Sequence, residues 1–458
     1  MTWAVSQAAP LRNVVIDNTV LFYEYIPPYE AAGYASCGWG SGLSVGGTVE
    51  FGSQQQFIVR NSELIGDVGV PVWNGVFVGN SNAPTDQCGM DVGDQQQPNI
   101  SVEPSTPIVA EKPFITTDET ASTFNLVIPA VKKDVSGLPY TKDGQEGAQV
   151  VPFDNVYVTA LEDTAEVING KLSAGLHVVI SPGIYELEDS IKITVDNQVV
   201  LGLGIATLIS PQNGNPAVIV ASGVKNARVA GVLLQAGEWT TSDLLLVDDD
   251  GSNEVEFLDD ASPTVLTDVF VRVGGPNPTN NVGPVTNMIN IKASNVIIDN
   301  TWLWRADHSQ SGLVFDEANP VDVGLTVSGD NVVAYGLAVE HTNKDNVVWS
   351  GENGQVYFFQ AEILYDYTGD HWDHSCYVVD EEVKTHTGVG LGCYTFFRDA
   401  NVTVASGFTT PASEGVLIKK AMSRFLNGGG ELDNVVNKDG LKVDGVTMTQ
   451  YACVVADE

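Results

Sequence analysis

The chain has 458 residues, of which 43% are hydrophobic and 46 are glycine, so it can bury a large core, while its scarcity of helix-forming runs excludes a coiled coil and disfavours a helical bundle. Its formal net charge of −37 makes nucleic acid and anionic membranes poor partners, because like charges repel. The length suggests two or three domains, and two are expected if the fold is all-β.

Residues 1–105 alternate short apolar runs with turn residues, as in RNVVIDNTVLFY and SGLSVGGTVEFG, and this texture predicts several coils of an N-terminal β-helix. The first residues, MTWAVSQAAPLRNVV, lack the basic start and apolar run of a signal peptide and resemble the middle of a folded domain. We therefore expect a truncated first helix. No apolar run approaches the roughly 18 residues that a membrane span needs.

Residues 106–150 are rich in Pro, Thr, Lys and Asp, and they contain the strand-like run FNLVIPAV, so we expect a structured connector. One helix is predicted over residues 163–174, DTAEVINGKLSA, with Asp163 as its N-cap. Its apolar positions Ala165, Ile168 and Leu172 fall on one face. A helix at this position would cover the open end of the next stack of strands.

Residues 151–458 repeat a unit of a short β-branched run bounded by Asn, Asp or Gly, at spacings of about 20 to 36 residues. Asn295 and Asn331 open two such runs, and asparagine tolerates the left-handed backbone of a sharp bend. The pattern predicts an all-β fold of two tandem right-handed parallel β-helices. A sandwich is an alternative, and the absence of a regular blade period of about 40 residues argues against a propeller.

Five cysteines cannot all pair, and their spacing fits no metal knuckle. The disulfides that we would test are Cys37–Cys88 and Cys376–Cys393, with free buried thiols as the alternative. No metal site or other cofactor is predicted. The composition suits a secreted, extracellular protein, although this chain shows no signal peptide.

Five of the six histidines and four of the eight tryptophans lie between residues 302 and 386, together with many acids. Tryptophans stack on sugar rings and carboxylates transfer protons, so the cluster predicts a saccharide cleft, whereas the alternative is core packing under solvated acids. The residues proposed to bind substrate here are Trp304, Asp307, His308, His341, Trp349, Tyr365 and Trp372.

Glu340 and Glu362 are separated by 22 residues, and each follows a strand of similar character. In a solenoid with coils of this length the two glutamates occupy equivalent positions on neighbouring rungs, about 4.8 Å apart. Two carboxyls so close repel when ionised, so one stays protonated to higher pH. A protonated acid beside an ionised partner is what glycosidic cleavage requires.

Several short motifs resemble those of glycoside hydrolase family 55, the exo-β-1,3-glucanases, within the wider group of pectate-lyase-like β-helix proteins. The resemblance rests on residues 304–308 (WRADH), 339–341 (VEH) and 360–365 (QAEILY) in the second half of the chain. In the first half it rests on WAVSQA from Trp3, on residues 56–61 (QFIVRN) and on VYVTAL from Val156.

The resemblance implies inverting hydrolysis of a neutral β-glucan such as β-1,3-glucan, without a metal. We also expect the protein to be a monomer. It implies that Glu362 is the general acid, and that Glu340 helps to hold the attacking water, with Gln360 nearby. Glutamines of the first half, Gln56 among them, would complete the site. The alternatives are a non-catalytic carbohydrate-binding β-helix and a polysaccharide lyase, and the acidic surface speaks against a lyase for acidic sugars.

Overall fold

The computed structural model describes residues 1–26, 31–33, 35–92, 95–118, 120–141, 144, 146–251, 262–275, 282–309, 312–315 and 318–455. Most strands of the described residues are parallel and stack into two right-handed β-helices, which confirms the predicted fold class. No helix among these residues is long and apolar enough to cross a membrane.

The first β-helix has three parallel sheets. Sheet N1 contains Pro10–Arg12, Gly38–Ser41, Gln56–Arg60, Asn74–Val78 and Asn99–Glu103. Sheet N2 contains Val15–Ile16, Ser44–Val45 and Glu63–Leu64, and sheet N3 contains Val20–Leu21, Val49–Glu50 and Val68–Gly69. Phe22, Phe51 and Phe57 pack together inside, with ring centroids 4.4 to 5.1 Å apart, because each coil presents an aromatic side chain to the same interior.

Short antiparallel strand pairs connect the two β-helices or extend from their coils. Between the two stacks, Thr106–Val109 pairs with Lys132–Val135, and Phe114–Thr117, Phe124–Ile128 and Gln149–Pro152 form a small sheet, so the predicted strand in FNLVIPAV is present. The other short pairs are Tyr25–Ile26 with Ala31–Ala32, Met90–Val92 with Gln95–Gln97, and His308–Ser309 with Gly312–Leu313.

The second β-helix has two long sheets. Sheet C1 contains Val156–Val158, His177–Ile180, Ile184–Glu186, Val199–Ile209, Arg228–Gln235, Thr264–Val273, Val296–Arg305, Val333–Glu340, Gly354–Glu362, Thr385–Phe397, Gly415–Gly428 and Thr449–Val455. Sheet C2 contains Ile191–Ile193, Val218–Val220, Thr241–Val247, Val285–Ile291, Val321–Val327, Val347–Trp349, His371–Trp372, Tyr377–Val379, Thr403–Thr409 and Glu431–Val436. A continuous apolar core lies between these sheets.

A short 3₁₀ helix, Phe153–Asn155, precedes one α-helix, Ala165–Ser173, which covers the first coil of the second stack. The predicted inward face is confirmed, because Ala165, Ile168 and Leu172 are buried. The predicted N-cap is wrong by one residue: the Thr164 hydroxyl accepts from the backbone N–H of Val167 at 3.3 Å. Asp163 instead accepts hydrogen bonds from Tyr157 and from the backbone of Ala160.

Two columns of left-handed residues bend the coils of the second helix. One column contains asparagines, and it includes the predicted Asn295 and Asn331, with φ of +61° and +56°. The other column of left-handed residues lies in the middle of the strands of sheet C1 and faces sheet N1. A Cβ atom at Gly336 would lie 2.3 Å from Trp39, and one at Gly390 would lie 2.3 Å from Val76. Glycine therefore permits the close contact between the two helices.

Buried charges fix this contact between the helices. Arg12 of the first helix lies 2.6 Å from Asp268 and 2.8 Å from Asp299 of the second. Arg60 lies 3.0 Å from Asp299 and 2.6 Å from Glu111 of the connector. Burial raises the pKa of Asp268, but the Arg12 guanidinium outweighs that effect and leaves this pKa below its ordinary value. The network therefore holds the Asp268 carboxylate ionised at neutral pH.

The disulfides differ in part from those predicted. Cys376–Cys393 is present and confirms the prediction, with Cα atoms 5.9 Å apart. Cys88 pairs with Cys453, not with Cys37, and this bond ties the first helix to the last strand of sheet C1. Cys37 is free and buried, because the coils place it beside glutamine side chains at the contact between the helices.

We expect one titratable thiol per chain in denaturant without reductant, and almost none in the native protein. Burial raises the pKa of the Cys37 thiol well above its ordinary value, so the reactive thiolate is scarce. Titration with a chromogenic disulfide reagent in both states measures this. Three or five thiols in denaturant would contradict the pairing.

Candidate active site

Glu340 and Glu362 end adjacent strands of sheet C1 and are paired in register. This confirms the prediction from their 22-residue spacing, since in-register residues of parallel rungs stack about 4.8 Å apart. Trp304 is in register with Glu340 on one side, and Tyr394 is in register with Glu362 on the other. The four side chains therefore form one ladder on the face of the second helix.

Glu340 is an acceptor for N–H donors from both helices. Its carboxyl oxygens accept from Gln7 Nε2 and Trp302 Nε1, each at 2.8 Å. Burial raises the pKa of Glu340 above its ordinary value, although hydrogen bonds from Gln7, Trp302 and Gln360 oppose this effect. Because amide and indole N–H groups only donate, they favour the carboxylate over the acid.

Glu362 lies in an environment that favours the protonated form. Burial, followed by the charge of Glu340, raises its pKa well above the ordinary value, although the Tyr365 hydroxyl donates to Glu362 Oε2 and opposes this. Gln360 Nε2 lies 3.3 Å from Glu362 Oε1. The Glu362 side chain is 17% exposed, so a ligand can reach this otherwise enclosed carboxyl.

His341 is a neutral neighbour of the pair. Burial lowers its pKa to about 4, despite the nearby Asp307. Its Nε2 lies 3.6 Å from Glu362 Oε2 and 3.7 Å from Asp307 Oδ1. The ring edge packs against Tyr365 with centroids 4.4 Å apart, which limits the rotation of both side chains. A neutral imidazole adds no positive charge to oppose the protonation of Glu362.

An aromatic wall borders the glutamates. Trp302 and Trp304 stack with centroids 5.1 Å apart, and His308 packs on Trp304 at 5.2 Å. Both tryptophans are partly exposed, so their faces can contact a sugar ring. Asp307 is 2.8 Å from His308 Nδ1, which places this predicted pair at the edge of the site.

The first helix completes the site. The predicted Gln56 makes no hydrogen bond to either glutamate among the described residues: it donates to Cys37 Sγ at 2.9 Å and accepts from Tyr394 at 2.7 Å. The direct contact to Glu340 is made by Gln7, which our sequence-based site omits although it lies in the WAVSQA motif. The sequence separation of 333 between Gln7 and Glu340 explains the omission, because spacing along the chain carries no signal at that range.

Two predicted sugar contacts are wrong. Trp349 is fully buried in the apolar core, where its ring stacks with that of Tyr377. On the neighbouring strands it is in register with Val327 and Val379. Trp372 belongs to sheet C2 and is 6% exposed, with its ring against Tyr367. Neither tryptophan contacts the glutamate ladder, because both lie on strands of the other sheet. In the described part of the chain, no group of three or more His, Cys, Asp or Glu side chains could hold a metal ion.

Two stacked carboxyls of raised pKa beside tryptophans on a parallel β-helix are typical of enzymes that cleave glycosidic bonds. The LAM55 pectate lyase-like domain matches residues 156–362. The chain is 37% identical to an exo-beta-1,3-glucanase from Streptomyces sp. (strain SirexAA-E / ActE) over 453 residues, which are 97% of this chain and 70% of that protein.

Solved structures agree with this relationship. The structure of sacteLam55A from Streptomyces sp. SirexAA-E matches with a TM-score of 0.87 and 36% identity, covering 99% of this chain and 79% of that one. A variant of sacteLam55A in complex with glucose matches with the same TM-score and coverage at 35% identity. The chain belongs to glycoside hydrolase family 55, and it is a glycoside hydrolase.

Proposed function

We propose that the enzyme hydrolyses β-1,3-glucan with inversion at the anomeric carbon, as an extracellular protein. The observation that carries this proposal is the in-register pair Glu340 and Glu362. The pKa of Glu362 is raised further than that of Glu340, because hydrogen bonds from Gln7 and Trp302 favour the Glu340 carboxylate. The relative at 37% identity is named an exo-beta-1,3-glucanase, which supports this substrate and release from a chain end.

In this mechanism Glu362 protonates the glycosidic oxygen as the bond breaks. Glu340 accepts a hydrogen bond from the attacking water and draws off its proton. Gln360 helps to orient that water, since its Oε1 is buried and has no partner among the described residues. In inverting enzymes the carboxyls are about 6.5–9.5 Å apart, so the two side chains must diverge beyond the rung spacing to admit the water.

The test is incubation with a panel of β-glucans, followed by NMR of the first product. Inversion of a β-linkage releases the α-anomer of glucose, which mutarotates later. A β-anomer would contradict inversion, and hydrolysis of other glucans with no action on β-1,3-glucan would contradict the substrate. An unsaturated product would indicate a lyase.

Two further observations support the location and the monomeric state. Disulfides persist in oxidising compartments, and two are present in the described residues. Both helices of one chain supply residues to the glutamate site, so a single copy completes it.

Replacing Gln7 with leucine is expected to raise the pKa of Glu340, because the hydrogen bond that favours its ionised form is lost. The acid limb of kcat against pH should therefore move to higher pH, while the alkaline limb stays near its original position. A full pH–rate profile measures both limbs. A decrease in kcat by the same factor at every pH would indicate a merely structural role for Gln7.

A further inference from the structure

A cavity lies farther along the face of the second helix that carries the glutamate pair. Its volume is about 460 Å³, and its lining includes Trp239, Gln235 and Arg272, with Glu186 and Glu238 also in the wall. None of these residues contributes to the glutamate site described above. The cavity therefore needs an explanation of its own.

The strand register places this cavity in line with the catalytic pair. Gln235 pairs with Arg272, Arg272 pairs with Trp304, and Trp304 pairs with Glu340. At about 4.8 Å per rung, Arg272 lies roughly 10 Å and Gln235 roughly 14 Å from the level of Glu340. In-register side chains of parallel rungs project to the same side, so the cavity and the glutamates share one edge of the stack. Trp304, which is partly exposed, lies between them.

Arg272 has hydrogen-bonding capacity that the described residues do not use. Its Nε donates to Gln235 Oε1 at 2.5 Å, while Gln235 Nε2 is already engaged by the backbone oxygens of Ala236 and Gly274. Burial lowers the pKa of the Arg272 guanidinium. Among the described residues, Arg272 forms no ion pair with an aspartate or a glutamate. A guanidinium has five N–H donors, of which the described residues engage one.

The cavity also has an aromatic platform. Trp239 is 42% exposed and Ile184 is 65% exposed, so both offer apolar surface to a ligand in the cavity. A tryptophan face binds the C–H face of a sugar ring, and the arginine and two glutamates supply donors and acceptors for its hydroxyls.

The charges favour a neutral ligand over an anionic one. Glu186 and Glu238 are both exposed in the wall around Arg272, and the chain carries a formal net charge of −37. A carboxylated or sulfated saccharide would meet repulsion at this wall and in the surrounding field. Hydroxyl groups meet none, and they can bond to both the carboxylates and the guanidinium.

We propose that this cavity is a distal saccharide subsite, which holds a later part of the glucan chain whose end lies between Glu340 and Glu362. This inference rests on the proposed function. It implies that the enzyme distinguishes long glucans from short ones through Trp239 and Arg272, at a distance from the bond that is cleaved. Binding at such a site strengthens the attachment of the chain without changing the chemical step.

The experiment measures binding by calorimetry in a Glu362→Gln background, with a β-1,3-linked glucose disaccharide and with a long β-1,3-glucan oligosaccharide. Trp239→Ala and Arg272→Ala are each expected to weaken binding of the long ligand about tenfold, which is ~1.4 kcal/mol, and to leave the disaccharide unchanged. In the active enzyme, KM for the long glucan should rise while kcat stays constant. Trp239→Phe should restore much of the affinity, because it restores an aromatic face.

The matched control is Val446→Ala, since Val446 is 89% exposed and does not line the cavity. It should change neither affinity. If the cavity variants lost equal affinity for both ligands, or lost none for the long ligand, the subsite would be overturned while the proposed function stayed intact. If the wild type neither binds nor cleaves β-1,3-glucan, both proposals fail, and that result is distinguishable because it appears before any cavity variant is made.

Discussion

Replacing Glu362 with glutamine is expected to lower kcat by about 10²- to 10⁴-fold, because the variant retains the shape of the acid but has no proton to give to the leaving oxygen. The contacts from Gln360 and Tyr365 reach the Glu362 carboxyl from either side, so an isosteric amide should keep its position. Initial rates of glucose release from β-1,3-glucan measure the loss. Near-normal turnover would remove Glu362 from the mechanism.

The same variant is expected to keep its stability in acid and to gain stability in mildly alkaline buffer. The pKa of Glu362 is raised in the folded protein, so between the ordinary and the raised value the folded state holds a proton that the unfolded chain releases. Wild-type stability therefore falls as pH rises through that range, and glutamine removes this dependence. Thermal unfolding at two pH values provides the control, and a clear destabilisation of the variant at both would indicate a structural defect.

Replacing Asp299 with alanine is expected to reduce the free energy of unfolding by about 3–5 kcal/mol. Asp299 has no exposed surface and pairs with Arg12 at 2.8 Å and with Arg60 at 3.0 Å, so its removal leaves two buried cations short of a partner. Chemical denaturation followed by tryptophan fluorescence measures the change, because Trp39 packs against the Arg12 guanidinium at 3.8 Å.

An exposed ion pair provides the matched control for Asp299. Lys344 and Asp322 lie 2.9 Å apart, but their side chains are 50% and 44% exposed. Asp322→Ala should therefore cost only about 0–1 kcal/mol. If both variants lost similar free energies of unfolding, this would contradict the idea that the buried network, rather than ion pairing in general, holds the two helices together.

The β-helix and its glutamate pair could be predicted because both are periodic. Asn295 and Asn331 mark equivalent bends, and the 22 residues from Glu340 to Glu362 equal one coil, so spacing along the chain translates directly into spacing across rungs. Trp302 and Trp304 lie two residues apart and therefore share a face of their strand. These features need no long-range information.

Features that join the two helices could not be predicted in this way. Gln7 reaches Glu340 across 333 residues, and Cys88 bonds Cys453 across 365, so no local pattern connects them. Trp349 was misplaced for a different reason. A tryptophan at the end of a strand can face the core or the solvent, and here the strand pairs it with two valines in the interior.

The central claim is that Glu340 and Glu362 have opposite protonation states when the enzyme works. Its most direct test is a pH titration of the glutamate carboxyl carbons by ¹³C NMR in the wild type and in Glu362→Gln. We predict one carboxyl that remains protonated well above the ordinary range of glutamate in the wild type, and whose signal is absent from the variant. A wild-type spectrum in which every glutamate ionises at its ordinary pH would contradict the account.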